Sequence, residues 1–107
     1  MDQAMIEELV NGLKSIYADN LVSIILYGSV ARGTNTEESD IDAAVILMED
    51  IDFSTKDKLL DMVVDMDLKY DKVFSIIDIN YNKFSKWENT LPFYRSVKEE
   101  GVVLWCP

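Results

Sequence analysis

Two strand-like apolar runs follow each other along the chain with only a polar segment between them, and this succession constrains the fold more than any other feature. Leu21 to Tyr27 is apolar and β-branched and stops at Gly28, Gly28 to Ser39 is polar and loop-like, and Ile41 to Met48 is the second run. Short apolar runs of this kind, bounded by turn residues, read as buried strands. Helical patterns lie on either side. Ile6, Leu9, Val10, Leu13, Ile16 and Tyr17 recur at helical spacing, so residues 3–18 form an amphipathic helix. Leu59, Val63, Met66 and Tyr70 mark one stripe of a second helix, entered through a turn over Asp50 to Ser54 with Ser54 as its N-cap. Val73 to Tyr81 is a third strand. Pro92 suits the first position of a late helix through Glu100, Gly101 its stop, and Val102 to Trp105 a last edge strand. Helices alternating with strands, two of which are consecutive, predict an α/β fold with a mixed sheet flanked by helices, not a helical bundle.

Composition narrows the function. With 107 residues, 49% of them apolar, the chain suits one compact domain over residues 1–107 and is too short for two. Twenty acidic against ten basic residues give a net charge of −10, which repels polyanions and argues against stable binding to nucleic acid or to an acidic membrane. Such a surface suits Mg²⁺ or a basic protein partner. The absence of histidine excludes Ser-His and Cys-His catalysis and His-ligated zinc, and the lone Cys106 forms no internal disulfide, as expected in a reducing compartment. The amino end, with Glu7 and Glu8, lacks the basic and apolar regions of a secretory signal, and the apolar stretch Ala43 to Met48 is far shorter than the ~20 residues that span a bilayer. A cytoplasmic protein is expected.

The chemistry is concentrated in Gly28-Ser29-Val30-Ala31-Arg32-Gly33-Thr34, followed by Ser39-Asp40-Ile41-Asp42. A strand that ends on Gly-Ser and turns into a short helix presents backbone N–H groups and a hydroxyl to a phosphate, and Gly28 lets the ligand approach the backbone. A plain glycine turn is the commoner use of such a step. Asp40 and Asp42, at i and i+2 at the start of a strand, project from one face roughly 7 Å apart and can share a divalent metal. Twelve aspartates also produce this spacing by chance, at Asp50 and Asp52 and at Asp65 and Asp67. Those pairs fall in a turn and in a helix, whereas the Asp40 pair introduces an apolar strand after a phosphate-type loop. Asp78 is the only charge inside the third strand, where burial is costly without a compensating metal or partner. It is expected to face Asp40 and Asp42. Three carboxylates beside a phosphate nest would serve two-metal phosphoryl or nucleotidyl transfer, with Asp78 also a candidate proton acceptor.

These residues together resemble the minimal nucleotidyltransferases of the DNA polymerase β superfamily: Gly28-Ser29 with Ala31, Arg32 and Gly33, ten residues between Ser29 and Asp40, the Ser39-Asp40-Ile41-Asp42 block, and a later strand with Asp78. The segment from Pro92 to Trp105 is similar to how these domains end, so the resemblance covers nearly the whole chain. Ala43 and Ala44 depart mildly from the bulkier residues expected after Asp42. The resemblance implies the polymerase β-like mixed sheet, ATP as substrate, and two Mg²⁺ ions on Asp40, Asp42 and Asp78. It further implies nucleotide contacts from Gly28, Ser29, Arg32 and Ser39, although for Arg32 an ion pair with Glu37 or Glu38 is an equal alternative. Freestanding domains of this family commonly pair with a HEPN-domain ribonuclease toxin and act as antitoxins by transferring AMP to a tyrosine, which implies such a partner here and a homodimer or hetero-oligomer. The alternatives are a small-molecule nucleotidyltransferase of the aminoglycoside type and an idle module that masks the toxin. Trp87, Phe93, Tyr94 and Trp105 are candidates for a partner contact, internal packing being the other use of such aromatics.

Overall fold

The computed structural model describes residues 3–28 and 40–107, and helices cover both faces of its four-stranded sheet. Helix α1 is Gln3–Tyr17, and a 3₁₀ turn, Ala18–Asn20, leads into β1, Leu21–Tyr27. β2 is Ile41–Leu47, α2 Phe53–Tyr70, β3 Phe74–Asn80, α3 Tyr81–Trp87, α4 Pro92–Glu100 and β4 Val102–Trp105. The sheet order is β3-β2-β1-β4. β1 runs antiparallel to both β2 and β4, while β2 and β3 are parallel. Parallel neighbours need a crossover, and α2 supplies it.

Local hydrogen bonds fix the register. Asn20 clasps the far end of β2: its side chain accepts from the Glu49 N–H at 2.8 Å and donates to the Glu49 carbonyl at 3.0 Å. The Asp67 carboxylate accepts from the Phe74 N–H at 2.8 Å, and the Ile41 N–H donates to the Val73 carbonyl at 2.8 Å, so β3 begins in step with β2. The N-cap of α2 is Asp52, whose side chain accepts from the Thr55 N–H at 2.8 Å. Ser54 therefore lies inside the first turn, two residues past the cap, because the aspartate reaches the orphan N–H groups first. Helix α3, unmarked by any apolar period in the sequence, starts at Asn80, whose side chain accepts from Asn82 and Lys83. Gly101 ends α4 as expected but with φ −72°, outside the left-handed region. Space is the reason for glycine there, since a Cβ would lie 2.3 Å from the Val97 carbonyl oxygen.

Strand alternation divides the interior into two cores. Ile41, Val45 and Leu47 join Ile24 and Phe74 beneath Met5, Leu9 and Leu13 of α1 and Leu59 and Met66 of α2. On the opposite face Ile25, Ala44, Ile46 and Ile79 meet Val97 of α4, with Tyr27, Phe84 and Tyr94 packed around them. Ala43 and Ala44 are fully buried in the inner strand β2. Bulk comes from their strand neighbours Leu26, Ile25, Ile76 and Ile77. The late aromatics are used largely in packing: Phe93 meets Tyr27 edge-on at 5.5 Å and Tyr94 meets Phe84 at 5.8 Å. Lys14 lies over Trp105 and Lys86 over Trp87.

Among the described residues, one buried side-chain polar atom lacks a hydrogen-bond partner. The Tyr17 hydroxyl is buried without a hydrogen bond, and burial, reinforced by the charge of Asp78, pushes its pKa up to about 12. A raised acid pKa contributes stability that is complete below the unfolded value near 10 and lost as pH climbs through about 12. Tyr17→Phe removes the unsatisfied group and should stabilise the chain by about 1 kcal/mol at pH 7 in urea unfolding. It should also flatten the loss of stability between pH 10 and 12. A variant less stable than the parent would mean that the hydroxyl has a partner in solution.

Candidate active site

The amino-terminal end of β2 carries the candidate site. In β2 the side chains of Ile41, Val45 and Leu47 enter the first core, so Asp42 points with Ala44 and Ile46 to the other face. Asp42 is half-buried and Asp40, just before the strand, is exposed. Across the antiparallel pair Asp42 faces Tyr27, and the chain then turns through Gly28 with φ +79°, a conformation that side chains resist. A Cβ on Gly28 would lie 2.7 Å from Asp42 Oδ2. The glycine therefore keeps open the approach to this carboxylate. Burial, and then the charge of Asp40, hold the Asp42 carboxyl above its ordinary pKa. Burial and Asp42 in turn raise that of the Tyr27 phenol. Ser29, Arg32 and Ser39 lie outside the described residues.

Asp78 does not join this group. Its register partner on β2 is Val45, three positions beyond Asp42, which puts Asp78 on the opposite face of the sheet. Its charge acts on Tyr17 in the first core, whereas that of Asp42 acts on Tyr27 at the second. β3 is an edge strand, so Asp78 reaches solvent and meets Lys56 Nζ at 3.4 Å beside a hollow lined by Ile51, Asp52 and Phe53. The expected convergence of three carboxylates fails on strand parity, and the expected burial cost is avoided by exposure. The β3 residue in register with Asp42 is Ser75. It escaped sequence reasoning because a serine in an apolar strand carries no signal, although its odd separation from both Phe74 and Asp78 assigns it to the other face.

The donors brought together are two carboxylates at a strand end that a glycine keeps clear. Hard oxygen donors of this kind fit Mg²⁺, which is commonly held by one or two carboxylates with substrate phosphates completing the shell. Among the described residues no group of three or more acidic or cysteine side chains converges on a metal position. Nor, among them, is any helix long and apolar enough to cross a membrane.

Comparison with known proteins shows a family and a fold. Residues 6–104 match the model of the nucleotidyltransferase domain family. A Methanocaldococcus jannaschii chain named as a protein adenylyltransferase is 42% identical over 104 residues, covering 97% of this chain and 98% of its own length. A second chain of that organism and name is 36% identical over 73 residues, 68% of this chain and 74% of its own. In fold, the chain is similar to one from the crystal structure of a toxin–antitoxin with AMP-PNP, with a TM-score of 0.68 at 20% identity over 95% of this chain and 73% of that one. It is also similar to one from the complex of a tri-AMPylated Shewanella oneidensis HEPN toxin with its MNT antitoxin, with a TM-score of 0.63 at 18% identity over all of this chain and 74% of that one. With the family model matching nearly all of this chain and a relative matched end to end, the chain belongs to the nucleotidyltransferase domain family and is a nucleotidyltransferase.

Proposed function

We propose that residues 1–107 form one catalytic domain that transfers AMP from ATP to a tyrosine hydroxyl of a HEPN ribonuclease toxin and so acts as an antitoxin. The observation that carries this reading is the open carboxylate of Asp42 beside Gly28, with Asp40 adjoining it. The adenylyltransferase names of the relatives and the toxin–antitoxin complexes among the structural neighbours support the acceptor class.

In the reaction, the acceptor oxygen bonds to the α-phosphorus of ATP, the bond from that phosphorus to the bridging oxygen breaks, and pyrophosphate leaves. The phenolic proton passes to water at the exposed mouth of the site. Asp40 and Asp42 would hold Mg²⁺, which when bound offsets the charge of the triphosphate and of the departing pyrophosphate. Gly28 lets the phosphates approach the end of β1, and Ser29, Arg32 and Ser39 are proposed to contact the nucleotide. Tyr27, packed edge-on against Phe93, walls the site on the side of β1.

The pKa shift of Asp42 sets the sign of a stability test. Because its folded value is raised, its contribution is complete below the ordinary carboxylate pKa and is lost as pH rises through the raised value. At pH 7 the ionised group opposes the metal-free fold. Asp42→Asn should therefore melt no lower than the parent without metal, yet lose transfer by on the order of 100-fold or more. Gly28→Val, which forces a branched residue to positive φ against Asp42, should abolish nucleotide binding in calorimetry. Asp78→Asn should keep both properties, and its loss of nucleotide binding would contradict this assignment.

The partner follows from charge. A ribonuclease needs a basic face to hold RNA phosphates, and a chain of net charge −10 is complementary to it. Labelled ATP, Mg²⁺ and a co-encoded HEPN protein should give AMP on a tyrosine, within a complex whose association slows as salt rises toward 1 M and the Debye length shrinks to about 3 Å. No complex at low salt and no labelled tyrosine would overturn the antitoxin reading in favour of a small-molecule acceptor.

A further inference from the structure

The parallel pairing of β2 with β3 sets Ser75 beside Asp42 on the face of the sheet away from α1 and α2, followed on that face by Ile77 and Ile79. Asp78, the one carboxylate of β3, points the opposite way and is occupied with Lys56. Of the three strands that meet at this site, β1 contributes Tyr27 with Gly28 just after it, β2 a carboxylate with Asp40 just before it, and β3 a hydroxyl. A neutral hydroxyl is a weak partner for Mg²⁺ and carries no charge to offset a second dication. Two carboxylates beside the triphosphate suit one such ion, and a second on the β3 side would find no further protein anion among the described residues.

Resting on the nucleotide-binding reading above, we infer that this chain holds one divalent cation with its nucleotide, not two, and that Ser75 is the residue that sets this number. Ser75 thereby acts as a positioning residue: it leaves the β3 side of the nucleotide uncharged and open to the acceptor hydroxyl. The transfer itself is unchanged in its atoms, the oxygen–phosphorus bond forming as pyrophosphate departs.

Counting bound metal tests this without relying on turnover. Mn²⁺ is titrated into the full chain with saturating α,β-methylene-ATP, and the ions bound per chain are read by electron paramagnetic resonance of free Mn²⁺. The parent chain should bind one ion. Ser75→Asp, which puts a carboxylate in register with Asp42, should raise the count to two, whereas Ser75→Asn, of the same size without the charge, should keep it at one. Two ions on the parent chain, or one on a folded Ser75→Asp variant with nucleotide bound, would overturn the inference and leave nucleotide binding intact. No ion and no nucleotide on the parent chain would instead sink the active-site reading on which the inference rests.

Discussion

The position of β2 between an antiparallel and a parallel neighbour is the constraint on which the rest of the structure depends. Paired on both edges, the strand has no freedom to slip, since a shift of one residue would turn Val45 and Leu47 out of the first core and drive Asp42 into it. The apolar residues that hold the strand thus also aim the carboxylate. Their burial under α1 and α2 contributes roughly 1.5–3 kcal/mol for each large side chain. The pairing, locked at one end by Asn20 on Glu49 and at the other by Asp67 on Phe74, converts this into a fixed geometry at the mouth of the sheet.

The two faces then divide the labour. The face under α1 and α2 carries the larger core and the Lys56–Asp78 ion pair, which is well exposed on both sides and adds little to stability. Among the described residues the other face is covered by α3 and α4, and Gly28, Asp40, Asp42 and Ser75 gather at one end of it. Half-burying the Asp42 carboxylate, and then placing Asp40 beside it, works against the metal-free fold, as the raised pKa of Asp42 records. If Asp40 and Asp42 hold Mg²⁺ as proposed, the bound ion offsets the repulsion between them and links ligand binding to stability.

Much of the fold was legible because burial was written into the period of the apolar residues. The strand from Leu21 to Tyr27 and the helix from Pro92 to Glu100 occupy the ranges that their patterns predict. Helix α3 was not legible, since a short helix held by an Asn80 cap has too few turns to show a period. Gly28, Asp40 and Asp42, which the structure brings together, were marked in the sequence by their spacing along one loop and one strand. The third aspartate misled because its residue type suggested chemistry while its parity along β3 determined its direction, and an edge strand lets a charged residue reach water where a buried strand would not. Register between distant segments, which assigns Ser75 and not Asp78 to the face of Asp42, is a property of pairing and is not encoded in either segment alone.

The central claim, that nucleotide binds at the end of β2 on the Asp42 face, is tested most directly by amide shift mapping with ¹⁵N-labelled chain, Mg²⁺ and a non-hydrolysable ATP analogue. The account predicts the largest shifts at Tyr27, Gly28, Asp40 to Asp42 and Ser75, with little change at Phe53, Lys56 and Asp78. Shifts centred on the Phe53–Lys56–Asp78 hollow, with Gly28 and Asp42 unmoved, would contradict it.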